Sequence, residues 1–595
     1  MENRYYLGIH RGHNASCALM KAGSIIYAAQ EERFNRQKNH IGYPKYSIDY
    51  CLDKAGIKGR DLTQAAFTSI NISSIYNKSQ PVTSFSIQDY FDFYGEKYYL
   101  RKFRGDNCLD YLKWLRDADR FNKNENHFDF SYLTDEVLLN REKDWELFRS
   151  ECRRTVLQHL NISEEKIIFL DHHTCHAYYA YFGSPFRDKK CIVLTMDGSG
   201  DQRNQTVWKV CGSNFELIAE SNQNDLGHIY KLATLLLGMR PDQDEYKVMG
   251  LAPYAKAKDV EPSYRVLKDI LQIDGMRIVH KNRPEDLFSY LKKAFEGHRF
   301  DNISGAVQLY IETIVQQLIE NIYKKTGISQ FVLGGGLSMN IKMNKVIADL
   351  PFISSLFVCA SGGDETLSLG GCYYLNREMK NNQSLQNMYL GFDIFDDANN
   401  FDWEDLAKDY IVAHNVSNAH VAKLIAQGYI VARVHGKSEF GARALGNRSI
   451  LADPSCIDSV RRINKAIKNR DFWMPFACSI LEEHAHTYIH NPKNLLSPFM
   501  TLAFDTRPEL YQHIRSGTHQ EDKTIRPQLV SREFSPQYYH LIEEFYKQTK
   551  IPALLNTSFN LHGEPIVNNI QDALRTFTLS DLDYLFINDT LISKK

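Results

Sequence analysis

The stretch DHHTCHAYYAY, residues 171–181, carries three histidines within five positions. His172 and His176 stand four apart, so a helix would set both imidazoles on one face with Cβ atoms about 6 Å apart. Such a pair is either packing for a core or half of a metal site. Spacing alone does not choose, because the chain holds 21 histidines and a second pair at the same interval, His486 and His490. Context favours the first pair. It follows the apolar run KIIFL, and two other apolar runs end in acids, Asp197 in CIVLTMDGSGD and Asp364 in LFVCASGGDE. Carboxylates converging on the imidazoles at one sheet edge would complete a two-nitrogen, two-oxygen set for a divalent transition metal. His173 would point elsewhere, and His486 with His490 lacks such acids.

Glycine-rich strand ends expose backbone N–H groups that cradle anions. Three occur: Asp197-Gly198-Ser199-Gly200, Gly334-Gly335-Gly336 and Ser361-Gly362-Gly363-Asp364. Their recurrence suggests a ligand lying along the carboxyl edge of an open α/β sheet. Further on, EFGARALGNRS places Arg443 and Arg448 in a glycine-punctuated loop, and INKAIKNRDFWMPFA adds Lys468 and Arg470. Guanidinium forks and an ammonium flanked by Gly and Ala, with few acids nearby, suit phosphate oxygens. PALLNTSFNLHGEPIV puts Asn556, Thr557 and Ser558 at a strand end where small hydroxyl and amide groups could meet an anion.

The elements that must hold these residues can be read coarsely. Short strands and a turn open the chain (YYLGI, HRGHN, ASCALM, SIIYAAQ), and residues 40–160 read as mainly helical, partly as an insertion at about 70–150. From 167 the runs IIFLD, CIVLTMDG, QFVLGGG and LFVCASGG alternate with helical stretches, an α/β pattern. A boundary falls at 385–405, giving domains 1–390 and 400–595; no internal repeat is visible. With 595 residues, more than one core is required. A net charge of −1 gives no field for nucleic acid or an anionic membrane, so neither is an expected partner. No apolar run spans a bilayer, and the 11 cysteines form no C-x-x-C, which points to a cytoplasmic chain without structural zinc.

Taken together, GIHRGHNASCAL, AAQEERFNR, DHHTCHAYYAYFGSPF, LTMDGSGD, DEYKVMGLAPYA, LGGGLSMN, ASGGDE, EFGARALGNRSILADP and LLNTSFNLHGEPIV resemble the O-carbamoyltransferase family that includes nodulation-factor, cephem and tobramycin carbamoyltransferases. The resemblance implies an amino-terminal Kae1-like domain of the actin/sugar-kinase/Hsp70 superfamily and a carboxyl-terminal YrdC-like α/β domain. It implies that carbamoyl phosphate and Mg-ATP form carbamoyl-adenylate and pyrophosphate in the second domain, and that a hydroxyl of a small-molecule acceptor takes the carbamoyl group in the first. By motif, His172, His176, Asp197 and Asp364 would bind the metal, iron first among the candidates. His13 would be the catalytic base. Gly335, Gly336 and Asn340 would lie against the adenosine, and Arg443, Lys468, Arg470, Arg526 and Asn556 would hold carbamoyl phosphate or the ATP phosphates. Glu245 and Lys247 match without an assigned role, and a homodimer is left open as the assembly.

Two positions depart from the family pattern: Asn14 stands where an aspartate is usual, and Met474 where an arginine is usual, which would shift phosphate binding onto Arg470. The rivals are a tRNA-modifying enzyme, which the charge disfavours, and a hydrogenase-maturation carbamoyltransferase, which would carry cysteine-paired zinc fingers. A non-catalytic nucleotide scaffold is the third.

Overall fold

The computed structural model describes residues 4–122, 126–186, 189–468 and 470–595. They form two compact units, Met1–Glu32 with Asn39–Leu385, and Arg33–Lys38 with Gln386–Lys595.

The first unit contains two five-stranded sheets. One is built from β1 (Tyr5–His10), β2 (Ser16–Lys21), β3 (Ser24–Gln30), β4 (Leu62–Thr68) and β5 (Ile167–Leu170), in the order β3-β2-β1-β4-β5. The other is built from β6 (Cys191–Gly200), β7 (Arg203–Cys211), β8 (Asn214–Ser221), β9 (Gln330–Gly334) and β10 (Ser355–Val358), in the order β8-β7-β6-β9-β10. In both, an antiparallel meander is extended by two strands parallel to its first. The chain therefore follows one route twice. The expectation of no internal repeat is corrected at the level of topology: backbone pairing repeats although the side chains do not. Burial on both faces explains why β6 and β9 read as unbroken apolar runs.

A second expectation also changes. The strand before the histidines, β5, belongs to the first sheet, whereas Asp197 lies near the end of β6 and Asp364 follows β10, both strands of the second. The helix His172–Phe182 leaves the first sheet and packs on β6 and β9 of the second, while the helix Leu367–Leu375 leaves the second and packs on β1 and β4. These helices cross closely. A Cβ on Gly370 would lie 1.9 Å from the carbonyl oxygen of Cys175, so only glycine permits that approach. Between β4 and β5 runs a series of helices from Ser74–Ser79 to Arg141–Leu160.

The second unit is built on an eight-stranded mixed sheet. Its order is Tyr410–Ala413, Thr590–Lys594, Tyr584–Ile587, Val431–Val434, Arg448–Ala452, Ala553–Ser558, Ala477–Leu481, Gln528–Val530. Ile430, Val434, Ile450, Leu555, Phe577 and Leu585 are in its core. Arg33–Lys38, early in sequence, belongs here: Arg36 donates to the carbonyls of Pro565 and Ile566, each at 2.8 Å, and pairs with Asp572 at 3.3 Å. Among the described residues no helix is long and apolar enough to cross a membrane.

Candidate functional site

Asp171 caps the histidine helix, its carboxylate accepting from the Thr174 amide at 2.8 Å, which fixes where the first turn begins. His172 and His176 then fall one turn apart, their ring centroids 4.8 Å from each other. Asp197 lies in the irregular last turn of β6, where its Oδ2 accepts from the Gly336 amide at 3.0 Å and its Oδ1 from the Gly198 amide at 2.6 Å. Asp364 opens the short turn after β10. His176 Nε2 lies 3.2 Å from Asp197 and 3.7 Å from Asp364; His172 Nε2 lies 3.6 Å from each. One donor atom from each of the four falls within 4.8 Å of all the others.

This set fits a metal ion. Donors about 2.1 Å from a common ion stand roughly 3.0–3.4 Å apart, close to the spacings found. Both imidazole Nε2 atoms are buried and make no hydrogen bond with acceptable geometry. His172 Nδ1 faces the Ser69 hydroxyl at 3.2 Å, the outer contact that directs Nε2 inward. The electrostatics agree. Burial pushes His172 down, but Asp364 and Asp197 outweigh it and lift it to about 9. His176 also rises, against burial, through the same two acids. Burial raises Asp197 and Asp364, yet the imidazoles hold both below the usual carboxylate range. The cavity favours positive charge at its centre.

Three residues that sequence reasoning did not single out position this centre. Asp201 accepts from the amides of Ile70, Asn71 and His172, at 2.9, 2.6 and 2.8 Å, joining β4 and the β6–β7 turn to the histidine helix. Ser69 orients His172. His10 is buried, with its Nε2 3.1 Å from the His13 carbonyl and 4.0 Å from Asp364, and burial lowers it to about 4. The doubled histidine of IHRGHN was the available signal for it. Gly200 leaves room for His172, since a Cβ there would lie 2.4 Å from the ring.

His173 turns from the centre to Thr195, 2.7 Å away. His13 carries a buried Nε2 without a hydrogen-bond partner. Asn14 adopts a left-handed backbone, φ 59°, which Asn and Asp tolerate better than most residues. Gly335 and Gly336 form the turn after β9. Asn340 caps the helix Ile341–Asp349 and exchanges hydrogen bonds with Gln308, so its side chain is spent on structure.

The second unit gathers cations. Helix Ile457–Ile463 continues as a π-helical turn, Asn464–Lys468, and Lys468 ends it 3% exposed. Its ammonium donates to Ser558 Oγ at 3.1 Å and to Asn560 Oδ1 at 2.8 Å. Arg470 donates to Thr557 at 3.2 Å and stacks 4.8 Å over Phe476. Burial, then Arg470 and Lys38, holds Lys468 well below its ordinary range; burial, then Arg443 and Arg470, does the same to Arg526. Among the described residues neither Lys468 nor Arg526 forms an ion pair. Asn556 donates to the Ala444 carbonyl and Ser479 hydroxyl, leaving a buried Oδ1 with no donor.

Glu439, also missed, shapes the arginine loop by accepting from the amides of Leu445, Asn447 and Arg448. Arg448 is a correction. It begins a strand rather than facing a ligand, and its buried guanidinium binds the carbonyls of His435, Phe392, Gly436 and Asn568.

The family model described as the carbamoyltransferase N-terminus matches residues 5–372, and that of the carbamoyltransferase C-terminus matches 422–594. The chain is 30% identical to the nodulation protein NolNO of Sinorhizobium fredii, over 98% of this chain and 79% of that one. It is 27% identical to the 3'-hydroxymethylcephem-O-carbamoyltransferase of Streptomyces clavuligerus, over 58% and 64% respectively. Among solved structures, component A of the Acidaminococcus fermentans (R)-2-hydroxyglutaryl-CoA dehydratase covers 63% of this chain and 99% of its own, at 14% identity and a TM-score of 0.31.

Proposed function

The chain belongs to the carbamoyltransferase family and is an enzyme of that class, and we propose that it is an ATP-dependent O-carbamoyltransferase acting on a hydroxyl of a small molecule. In this reading the first unit is Kae1-like and the second YrdC-like, with domains near 1–390 and 400–595. The observation that carries it is the gathering of the buried Lys468 and the half-buried Arg526, neither of them ion-paired among the described residues, with Arg443 and Arg470. Buried cations are stable only beside anions, and a phosphorylated donor with a nucleotide triphosphate supplies them.

In the second unit these cations neutralise the donor phosphate and the ATP phosphates as negative charge shifts onto the leaving groups. Asn556 Oδ1, a buried acceptor, receives the carbamoyl NH2. Atom balance sets the products: joining the carbamoyl oxygen to the α-phosphorus of ATP expels pyrophosphate, and the donor's phosphate leaves as inorganic phosphate with one water consumed. In the first unit the acceptor oxygen bonds to the carbamoyl carbon, the bond to AMP breaks, and His13 takes the hydroxyl proton. His172, His176, Asp197 and Asp364 would hold the metal, and Gly335 and Gly336 offer backbone to the nucleotide. A divalent transition ion, iron among them, would supply Lewis acidity toward the carbamoyl oxygen or the adenylate phosphate.

The test is pyrophosphate release from Mg-ATP. Release that requires carbamoyl phosphate, followed by AMP formation and a one-carbamoyl mass gain on an added alcohol, is the expected result. Pyrophosphate release indifferent to carbamoyl phosphate overturns the reading.

A further inference from the structure

Arg11 follows β1 directly and is 1% exposed. Its guanidinium sits among Phe67 of β4, Phe169 of β5 and Phe148 of helix Arg141–Leu160, 5.2, 5.7 and 5.4 Å from the ring centroids. Among the described residues no acid pairs with it, and its Nε and Nη2 are buried without a hydrogen-bond partner. One side-chain hydrogen bond is made: Nη1 donates to the Ser69 carbonyl at 3.0 Å. A buried charge without an acid is costly, and aromatic faces offset only part of that cost. Packing alone would be met more cheaply by an apolar side chain.

Ser69, which that bond holds, is strained. Its φ is 153°, a backbone region that residues with a side chain rarely adopt. The Ser69 carbonyl and the Ile70 amide belong to one planar peptide unit. Arg11 grips this unit at its oxygen, and Asp201 grips it at its nitrogen, both carboxylate oxygens standing 2.9 Å from the Ile70 amide. The same carboxylate accepts from the Asn71 and His172 amides, and Arg149 donates to the Asn71 side chain at 2.6 Å. Clamped at both ends, the unit is kept from swinging to relieve the strain at Ser69. That relaxation would carry the Ser69 hydroxyl away from His172 Nδ1, 3.2 Å distant.

We infer that Arg11 is a positioning residue for the His172 side of the metal centre: by fixing the strained Ser69 backbone, it keeps the Ser69 hydroxyl at His172 Nδ1. The inference rests on the metal-centre reading above and deepens it. A neutral imidazole that offers Nε2 to a metal carries its proton on Nδ1, and an acceptor placed there fixes both that tautomer and the direction of the ring. Serine supplies the acceptor, and Arg11 supplies the restraint that holds serine in place. Arginine suits the task because its planar fork reaches a carbonyl while its face lies against aromatic rings.

The experiment titrates the full-length, metal-stripped chain with Co2+, whose visible absorption reports both affinity and ligand geometry. Arg11→Met should weaken Co2+ binding about 10-fold, the lower end of what losing an outer partner costs, and should shift the absorption bands. Its circular dichroism spectrum should stay that of the unmodified chain. Ser69→Ala should weaken binding by at least as much. Adding Arg11→Met to Ser69→Ala should cost about 2-fold more at most, because an effect relayed by the hydroxyl disappears with the hydroxyl. Arg11→Gln, too short to reach the same carbonyl, is read in the same way where Arg11→Met does not fold. Unaltered affinity or absorption in the folded variant, or losses that multiply in the double variant, overturn the inference. So does failure of both Arg11→Met and Arg11→Gln to fold, which would make Arg11 a residue of the core alone. Absence of Co2+ binding by the unmodified chain overturns the metal-centre reading as well, whereas the other outcomes overturn this inference alone.

Discussion

The two units solve opposite electrostatic problems. In the first, two imidazoles and two carboxylates face one another, each acid drawn down and each imidazole drawn up by its partners. In the second, Lys468 is buried and Arg526 half-buried among other cations, both pushed down in pKa, and among the described residues no acid is paired to either. One arrangement is balanced and leaves space for a cation. The other is unbalanced and calls for an anion from outside. Such strain persists only where the surrounding fold enforces it, here through the π-helical turn at Lys468 and the Glu439-organised arginine loop.

If that contrast is right, neutralising a charge has opposite consequences in the two places. Lys468→Met should lower carbamoyl-phosphate-dependent pyrophosphate release on the order of 10²–10³-fold, the usual effect of losing one preorganised donor to a developing charge. The same variant should raise the thermal unfolding midpoint of the ligand-free protein, since a buried like-charge repulsion disappears. A fall in both would break the comparison. In the first unit, Asp197→Asn should weaken metal affinity by about 100-fold or more, beyond the 10–100-fold that loss of an outer partner costs. Elemental analysis after dialysis reads this directly. Gly200→Ala should weaken it about 10-fold by displacing the His172 ring, and retained metal with an unchanged absorption spectrum would contradict the crowding.

The pH dependence separates the units further. With metal stripped, His172 is raised from 6.5 to about 9, so the folded chain holds the extra proton between those values. Its stabilisation is complete below about pH 6.5 and is lost as pH climbs through 9. Lys468 is lowered, so the unfolded chain holds more protons there and stability rises with pH. The difference in unfolding midpoint between the native sequence and His172→Gln, followed from about pH 6 to about pH 10, should shrink; that for Lys468→Met should change in the opposite sense. The smallest effect is expected from Asp171→Ala, about 1 kcal/mol from loss of the cap, measured by denaturant unfolding.

Much of this was legible in the sequence, for local reasons. The i,i+4 spacing after KIIFL placed His172 and His176 on one helical face, because helix periodicity is a property of consecutive residues. Apolar runs ending in Asp or Gly marked strand ends, and motif order was enough to identify the family. Arg448 misled because a cation in a Gly-rich loop looks the same in sequence whether it meets a phosphate or, as here, backbone carbonyls. For His10 the doubled histidine of IHRGHN was the only signal, whereas Asp201 and Glu439 were not legible, since each acts through backbone amides that carry no side-chain signature.

The sequence by itself determined the elements, their polarity and the residue types that chemistry needs, since these depend on neighbours along the chain. Tertiary structure alone decided that the strand before the histidines lies in one sheet and the two aspartates in another. It also decided that a topological repeat underlies dissimilar halves, and that His172, His176, Asp197 and Asp364 come together. Strand partners and long-range contacts are chosen by burial and backbone pairing across the whole unit, and no local pattern encodes them.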